Sequence, residues 1–216
     1  MIVQEEVAVK TAELLLQIKA IKLNPSNPYT WASGWRSPIY CDNRKILSYP
    51  KVRTFIRQQL AAAIESKTGK PDVIAGVATG AIAHGVLAAQ ALDLPFIYVR
   101  PKPKEHGLGN QIEGEVEAGK RAVVVEDLVS TGMSSLQALQ ALRSAGVEVK
   151  GMVAIFDYGF QVAKKAFNEA KCDLFTLSDY PTLIRVAMET NYIKEADLKA
   201  LTAWRNHPDT WQQPKS

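Results

Sequence analysis

Apolar residues recur at helical spacing over residues 6–20, where Val7, Leu14 and Ile18 share a face with Leu15 beside them, so the chain opens with an amphipathic helix that stops before Asn24-Pro25. Residues 29–45 are rich in Trp, Tyr, Pro, Ser and Gly without a clear period, which predicts irregular strands and turns. Ser48-Tyr49-Pro50 then starts a second helix with proline near its first turn; Val52, Phe55, Ile56, Gln59, Leu60, Ala63 and Ile64 give it a buried face. From Asp72 the pattern changes. Short apolar runs at 73–75, 96–99, 122–125 and 147–156 read as strands, with helices at 81–91 and 134–144 and a long polar loop after Val99. Residues 160–170 and 194–205 read as further helices, and the tail after His207 as irregular. Strands alternating with helices predict parallel βαβ units, hence an open, mostly parallel α/β sheet flanked by helices.

At 216 residues the chain suits one such domain: an N-terminal part over 1–48, an α/β core over 49–180, and C-terminal helices and tail over 181–216. With 47% hydrophobic and 22% charged residues it falls among globular proteins, which sets aside disordered and fibrous classes. The two cysteines, Cys41 and Cys172, stand far apart and outside any metal-ligand spacing, so neither a disulfide framework nor a zinc site is indicated and a cytoplasmic setting is expected. The N-terminus carries glutamates where a signal peptide would be basic. The apolar stretch 73–89 is interrupted by Gly76, Thr79, Gly80, His84 and Gly85 and reads as strand, turn and helix, so no membrane association is expected. His84 reads as a packed histidine.

The formal charge is only +4, and the cations cluster in the short segment 100–106, among prolines and without aromatic residues. A small polyanion explains this better than nucleic acid. In an extended segment residues two apart face the same way, so Arg100, Lys102, Lys104 and His106 could meet one polyphosphate, and Gly107 and Gly109 would let the loop open and close. A solvated charged loop is the plainer alternative.

The sharpest segment is Val123-Val124-Val125-Glu126-Asp127-Leu128-Val129-Ser130-Thr131-Gly132-Met133-Ser134. An apolar strand delivers two carboxylates to its end, and a hydroxyl-rich glycine turn then opens a helix whose N–H groups suit a phosphate. Glu126 and Asp127 could accept hydrogen bonds from the hydroxyls of a ribose attached to that phosphate. Read bare, the same pattern also fits a solvated acidic turn. It contains neither a GK[ST] nor a GxGxxG motif, so it is not a Walker loop or a dinucleotide fingerprint. A second glycine turn, Ala78-Thr79-Gly80, lies between strand and helix and offers backbone N–H groups to another anion.

The acidic pair followed by Ser-Thr-Gly resembles the signature of type I phosphoribosyltransferases. The alternating Arg-x-Lys-x-Lys-x-His loop resembles the mobile loop of the bacterial orotate phosphoribosyltransferases, and Ser33-Gly34-Trp35-Arg36-Ser37-Pro38-Ile39-Tyr40-Cys41-Asp42 resembles the SGxxSPxYxD segment that covers the base in that family. The resemblance spans residues 30–156 in the expected order. It implies the type I phosphoribosyltransferase fold with a small N-terminal hood, and transfer of ribose 5-phosphate from phosphoribosyl pyrophosphate to orotate in pyrimidine biosynthesis. It implies that residues 126–134 bind the substrate's ribose 5-phosphate, that Ala78, Thr79 and Gly80 bind pyrophosphate, that Arg100 and Lys104, with Lys102 as the substitute for a missing lysine, stabilise the leaving group, and that His106 either binds phosphate or transfers a proton. It also implies base contacts from Ser130, Ser33, Gly34 and Tyr40, Mg²⁺ arriving with the substrate, and a homodimer with shared sites. Where some members carry a lysine before the Ser-Gly pair this chain has Ala32, where some carry a lysine after the loop arginine it has Pro101, and where some carry an arginine after the fifth strand it has Phe156-Asp157-Tyr158. Two other readings stay open: a transferase for another base, and a nucleic-acid-binding regulator that senses phosphoribosyl pyrophosphate, against which the cationic loop and the SGxxSPxY segment argue.

Overall fold

The computed structural model describes residues 1–31, 34–102 and 111–212. Helix α1 (Glu5–Gln17) is followed by four short strands, β1 (Ile21–Leu23), β2 (Tyr29–Thr30), β3 (Arg36–Ser37) and β4 (Ile39–Cys41), and by a 3₁₀ helix over Asn43–Ser48. The strands pair as two antiparallel ribbons, β1 with β4 and β2 with β3, so the aperiodic stretch becomes a small cap of its own. Helix α2 (Pro50–Thr68) begins at its proline as expected. The remaining elements are β5 (Val73–Val77), α3 (Ile82–Leu92), β6 (Phe96–Val99), β7 (Ile112–Glu113), β8 (Arg121–Val129), α4 (Met133–Ser144), β9 (Glu148–Asp157), α5 (Gln161–Glu169), β10 (Leu174–Asp179), α6 (Tyr180–Glu189) and α7 (Glu195–Asn206).

Six strands form one sheet in the order β10-β9-β8-β5-β6-β7, parallel throughout except for β7. The centre is apolar on both faces: Ala122, Val123, Val124 and Val125 of β8 and Met152 to Phe156 of β9 are all fully buried, as a parallel sheet covered by helices requires. From β5 the chain crosses through α3 to β6 on one side, whereas from β8 it crosses through α4 to β9 on the other. Right-handed crossovers therefore place α3 and α4 on opposite faces, and the direction of winding reverses between β5 and β8. That reversal opens a crevice at the carboxyl ends of these two strands, where open α/β sheets bind ligands.

Four local expectations are corrected. The polar loop expected after Val99 contains β7, which pairs antiparallel with β6. In α1 the buried stripe is Ala8, Thr11, Ala12, Leu15 and Leu16, with Val7 and Leu14 half-buried, because the helix packs on β10 and α6 through its small residues. Strand β8 runs on to Val129 rather than stopping at Val125, since Leu128 and Val129 still pair with Phe156 and Asp157 of β9. The segment 174–189, within which the sequence delimits no individual strand or helix, is a strand and a helix, joined where Asp179 accepts the Thr182 N–H and Pro181 occupies the first turn. The first residues pair beside β10 through Ile2 and Thr176.

Candidate active site

A cleft of about 340 Å³ lies at the β5/β8 reversal, lined by Cys41, Asp42, Arg44, Val77, Ala78, Thr79, Gly80, Glu126, Asp127, Leu128 and Ser134. It thus gathers the end of the cap, the turn after β5, the acidic end of β8 and the first turn of α4. A larger hollow, about 710 Å³, lies between β7 and α4, and among the described residues its lining carries no charged side chain.

The two adjacent carboxylates have different surroundings. Glu126 is 4% exposed; its Oε1 accepts the Asp127 N–H at 2.9 Å and its Oε2 accepts the Ser135 hydroxyl at 2.8 Å. Burial, then the charge of Asp127, holds the Glu126 carboxyl well above the ordinary glutamate range. Asp127 is half-buried and faces the turn after β5. Both residues line the cleft, and alternation along a strand turns their side chains differently.

Two backbone turns flank Asp127. The turn after β5 contains a cis Ala78–Thr79 peptide and Gly80, at which an added Cβ would sit 2.4 Å from Asp127 Oδ2. The turn after β8 ends at Gly132, which caps α4 with φ +82° and has the Phe167 ring 2.9 Å from where a Cβ would lie, so both conformation and space select glycine. Met133 and Ser134 follow as exposed first-turn residues, and the unpaired N–H groups of that turn attract anions.

Of the other residues singled out in the sequence, Tyr40 is 38% exposed in the cap with its ring 5.6 Å from that of Tyr29, and Gly34 closes a bend in which its N–H donates to Trp31 O. Arg100 lies at the root of the cationic loop, 3.7 Å from Glu113, and its carbonyl accepts from the Gln111 side chain; it does not line the cleft. Lys102 is exposed, while Ser33, Lys104 and His106 lie outside the described residues. Phe156 and Tyr158 are sealed in an aromatic cluster with Trp31, Phe160, Tyr180 and Trp204, and Asp157 turns back to accept the Gly159 N–H. His84 is buried, as its helical setting implies, with Nε2 3.3 Å from Asn43 O.

Sequence reasoning missed Asp42, Arg44 and Cys41 as cleft residues. The signal was present, because Asp42 ends the SGxxSPxYxD segment, and it accepts both the N–H and, at 2.7 Å, the Nε of Arg44. No group of three or more His, Cys, Asp or Glu side chains that could hold a metal occurs among the described residues.

The family model described as the phosphoribosyl transferase domain matches residues 44–182. An orotate phosphoribosyltransferase from Bacteroides fragilis is 56% identical over 204 residues, which are 94% of this chain and 96% of that protein. The chain belongs to the orotate phosphoribosyltransferase family. Another orotate phosphoribosyltransferase, from Porphyromonas gingivalis, is 52% identical over 200 residues, 93% of this chain and 95% of its own length. Among solved structures, the orotate phosphoribosyltransferase from Aeropyrum pernix superposes with a TM-score of 0.73 at 27% identity, covering 85% of this chain and 99% of that one. The expected fold class is thereby established, and the acidic pair and both turns fall within the residues that the family model matches.

Proposed function

We propose that this chain transfers the ribose 5-phosphate of phosphoribosyl pyrophosphate to orotate, giving orotidine 5′-monophosphate and pyrophosphate in pyrimidine nucleotide synthesis. The observation that carries the reading is the placement of the Asp127 carboxylate between two anion-receptive backbone turns at the sheet's winding reversal. In the reaction the bond from the anomeric carbon to the pyrophosphate oxygen breaks, N1 of orotate bonds to that carbon as its proton passes to the departing pyrophosphate or to His106, and positive charge develops on the ribose ring along the way.

Residues Leu128 to Ser134 hold the 5-phosphate through backbone N–H groups, and Asp127 accepts from the ribose hydroxyls. Glu126, buried against Ser135, completes the acidic end of the strand. Ala78, Thr79 and Gly80 receive the pyrophosphate, and Arg100, Lys102, Lys104 and His106 bring positive charge to it as the bond breaks. Ser130, Ser33, Gly34 and Tyr40 contact the base.

The ion suited to this site is Mg²⁺ carried by the substrate, since magnesium takes phosphate oxygens with few protein ligands. Bound, it supplies positive charge beside the departing pyrophosphate. The whole chain acts as one catalytic domain, in a cytoplasmic homodimer whose active sites are shared between subunits. Among the described residues no helix is long and apolar enough to cross a membrane.

Incubating the protein with phosphoribosyl pyrophosphate, Mg²⁺ and a panel of bases tests the proposal. Orotate consumption with release of pyrophosphate is expected. Turnover of adenine, guanine or uracil in its place would replace the assigned base, and absence of any turnover together with substrate-dependent RNA or DNA binding would replace enzyme with regulator.

A further inference from the structure

Asn43 is 1% exposed, although it begins a short 3₁₀ helix in an otherwise partly exposed cap. Its side-chain Nδ2 donates to the backbone carbonyl of Asp127 at 2.6 Å, across 84 residues of sequence. Its Oδ1 accepts the Cys41 thiol at 3.4 Å, and its carbonyl lies 3.3 Å from His84 Nε2. A carbonyl can only accept, so Nε2 of that buried imidazole carries the hydrogen. Asn43 thus joins three elements, the cap through Cys41, β8 through Asp127 and α3 through His84.

The location matters because of how the sheet ends. Pairing of β5 with β8 is last seen at Gly76 with Val125, two residues before Asp127. Beyond that point the sheet no longer supports β8 from the β5 side, and the Asn43 amide meets the Asp127 carbonyl instead. On the side-chain side, the Asp127 carboxylate is set against Gly80. One contact fixes the backbone of Asp127 and the other leaves room for its carboxylate.

From this arrangement we infer that Asn43 is a positioning residue for the transfer reaction, holding Asp127 at the angle from which its carboxylate meets the ribose and linking that angle to the seating of the base-covering cap. The inference rests on the activity proposed above. A side chain that merely filled space would need no amide here; a buried amide whose donor and acceptor are both engaged costs little only while its partners stay in place, which makes the position directional.

The experiment is a double-mutant cycle in the full-length protein with Asn43→Ala, Asp127→Asn and the pair, measured as kcat/KM for phosphoribosyl pyrophosphate with melting curves alongside. Asn43→Ala is expected to lose on the order of tenfold, the cost of one buried hydrogen bond expressed in rate. In the double variant that loss should vanish, because Asn43 acts through a carboxylate already removed. Losses that multiply would overturn the positioning role.

Asn43→Asp, which keeps the shape, covers the case in which the alanine variant does not fold. The titratable and charged groups around position 43 are Cys41, Asp42 and Arg44 on its own segment, His84 on α3 and Asp127 on β8. A protonated carboxyl can still donate to the Asp127 carbonyl and a carboxylate cannot, so activity relative to the unmodified protein should fall as pH rises; a ratio independent of pH would overturn the inference. Unmodified protein that transfers no base would instead overturn the assigned activity, so the two failures are distinguishable.

Discussion

The Asp127 carboxylate lies so close to Gly80 that a Cβ on that glycine would sit 2.4 Å from Oδ2 and 2.5 Å from Cγ. Real Cβ atoms do not approach other heavy atoms so closely, and the group that must yield is the Asp127 carboxylate itself. The turn that is proposed to receive pyrophosphate and the acid that is proposed to hold ribose are therefore in van der Waals register, and a methyl group is enough to separate them.

Gly80→Ala should accordingly displace Asp127 without unfolding the chain. A shift of about 1 Å in a positioning group can cost about 10²-fold in rate, so kcat/KM should fall by that order while the melting temperature stays within a few degrees. Wild-type kinetics in this variant would remove Asp127 from the reaction as assigned.

Glu126 offers a pH test. Its carboxyl is held well above the ordinary value, first by burial. A folded-state value above the unfolded one means that the folded chain binds a proton which the unfolded chain has released, so stability declines as pH rises from about 4.3 towards the raised value. Glu126→Gln removes that titration while its amide can still meet Ser135 and the Asp127 N–H. The variant should melt higher than the unmodified protein at pH 8 and no higher at pH 4, with a flatter profile between. Equal pH profiles for the two proteins would show that the buried carboxyl is not the titrating group.

The aromatic cluster ties the C-terminal helix to the cap. Trp204 of α7 is fully buried, and its ring stands edge-on to those of Trp31 in the cap, Tyr158 after β9 and Phe160, with centroids 5.3 to 5.7 Å away. Removing a buried Trp typically costs about 3–5 kcal/mol. Trp204→Ala should lower stability by that order and loosen the cap, raising KM for orotate more than KM for phosphoribosyl pyrophosphate. Equal rises would detach α7 from base binding.

How far the sequence could carry this picture depends on the range of the interactions. Strand and helix boundaries from β5 to α4 are legible to within a residue or two, except at the end of β8 and for the two-residue edge strand β7, which lies inside the polar loop, because Val-rich runs and helix-opening glycines are local signals. The strand end is not legible: Glu126 and Asp127 look like the start of a turn, and pairing with β9 carries the strand on through them. Within 174–189 the helix signal is short and local, since Asp179 and Pro181 are the cap and first turn of α6. The acidic pair and both turns announce the site locally. Asn43, Gly80 against Asp127, and the aromatic cluster are contacts between distant segments, and no periodicity records them.

The loop supplies the last prediction. Its described ends, Arg100 to Lys102 and Gln111 to Glu113, do not line the cleft; Pro101, Gln111 and Ile112 line the larger hollow beside α4. In the proposed dimer the cations of one subunit serve the cleft of the other. Lys104→Ala should then lower the chemical rate far more than ground-state affinity for phosphoribosyl pyrophosphate, because negative charge on pyrophosphate grows as the bond breaks and a cation brought in by closure gains strength in the transition state. Loss of one such contact typically costs on the order of 10²-fold in rate. Asp127→Asn, altered in the cleft itself, should be impaired independently. Mixing the two variants under conditions of subunit exchange should restore activity, since some hybrid sites combine an intact loop from one subunit with an intact cleft from the other. Absence of recovery after exchange has been verified by mass would place loop and cleft in the same subunit, and a Lys104→Ala change felt only in affinity would remove its transition-state role.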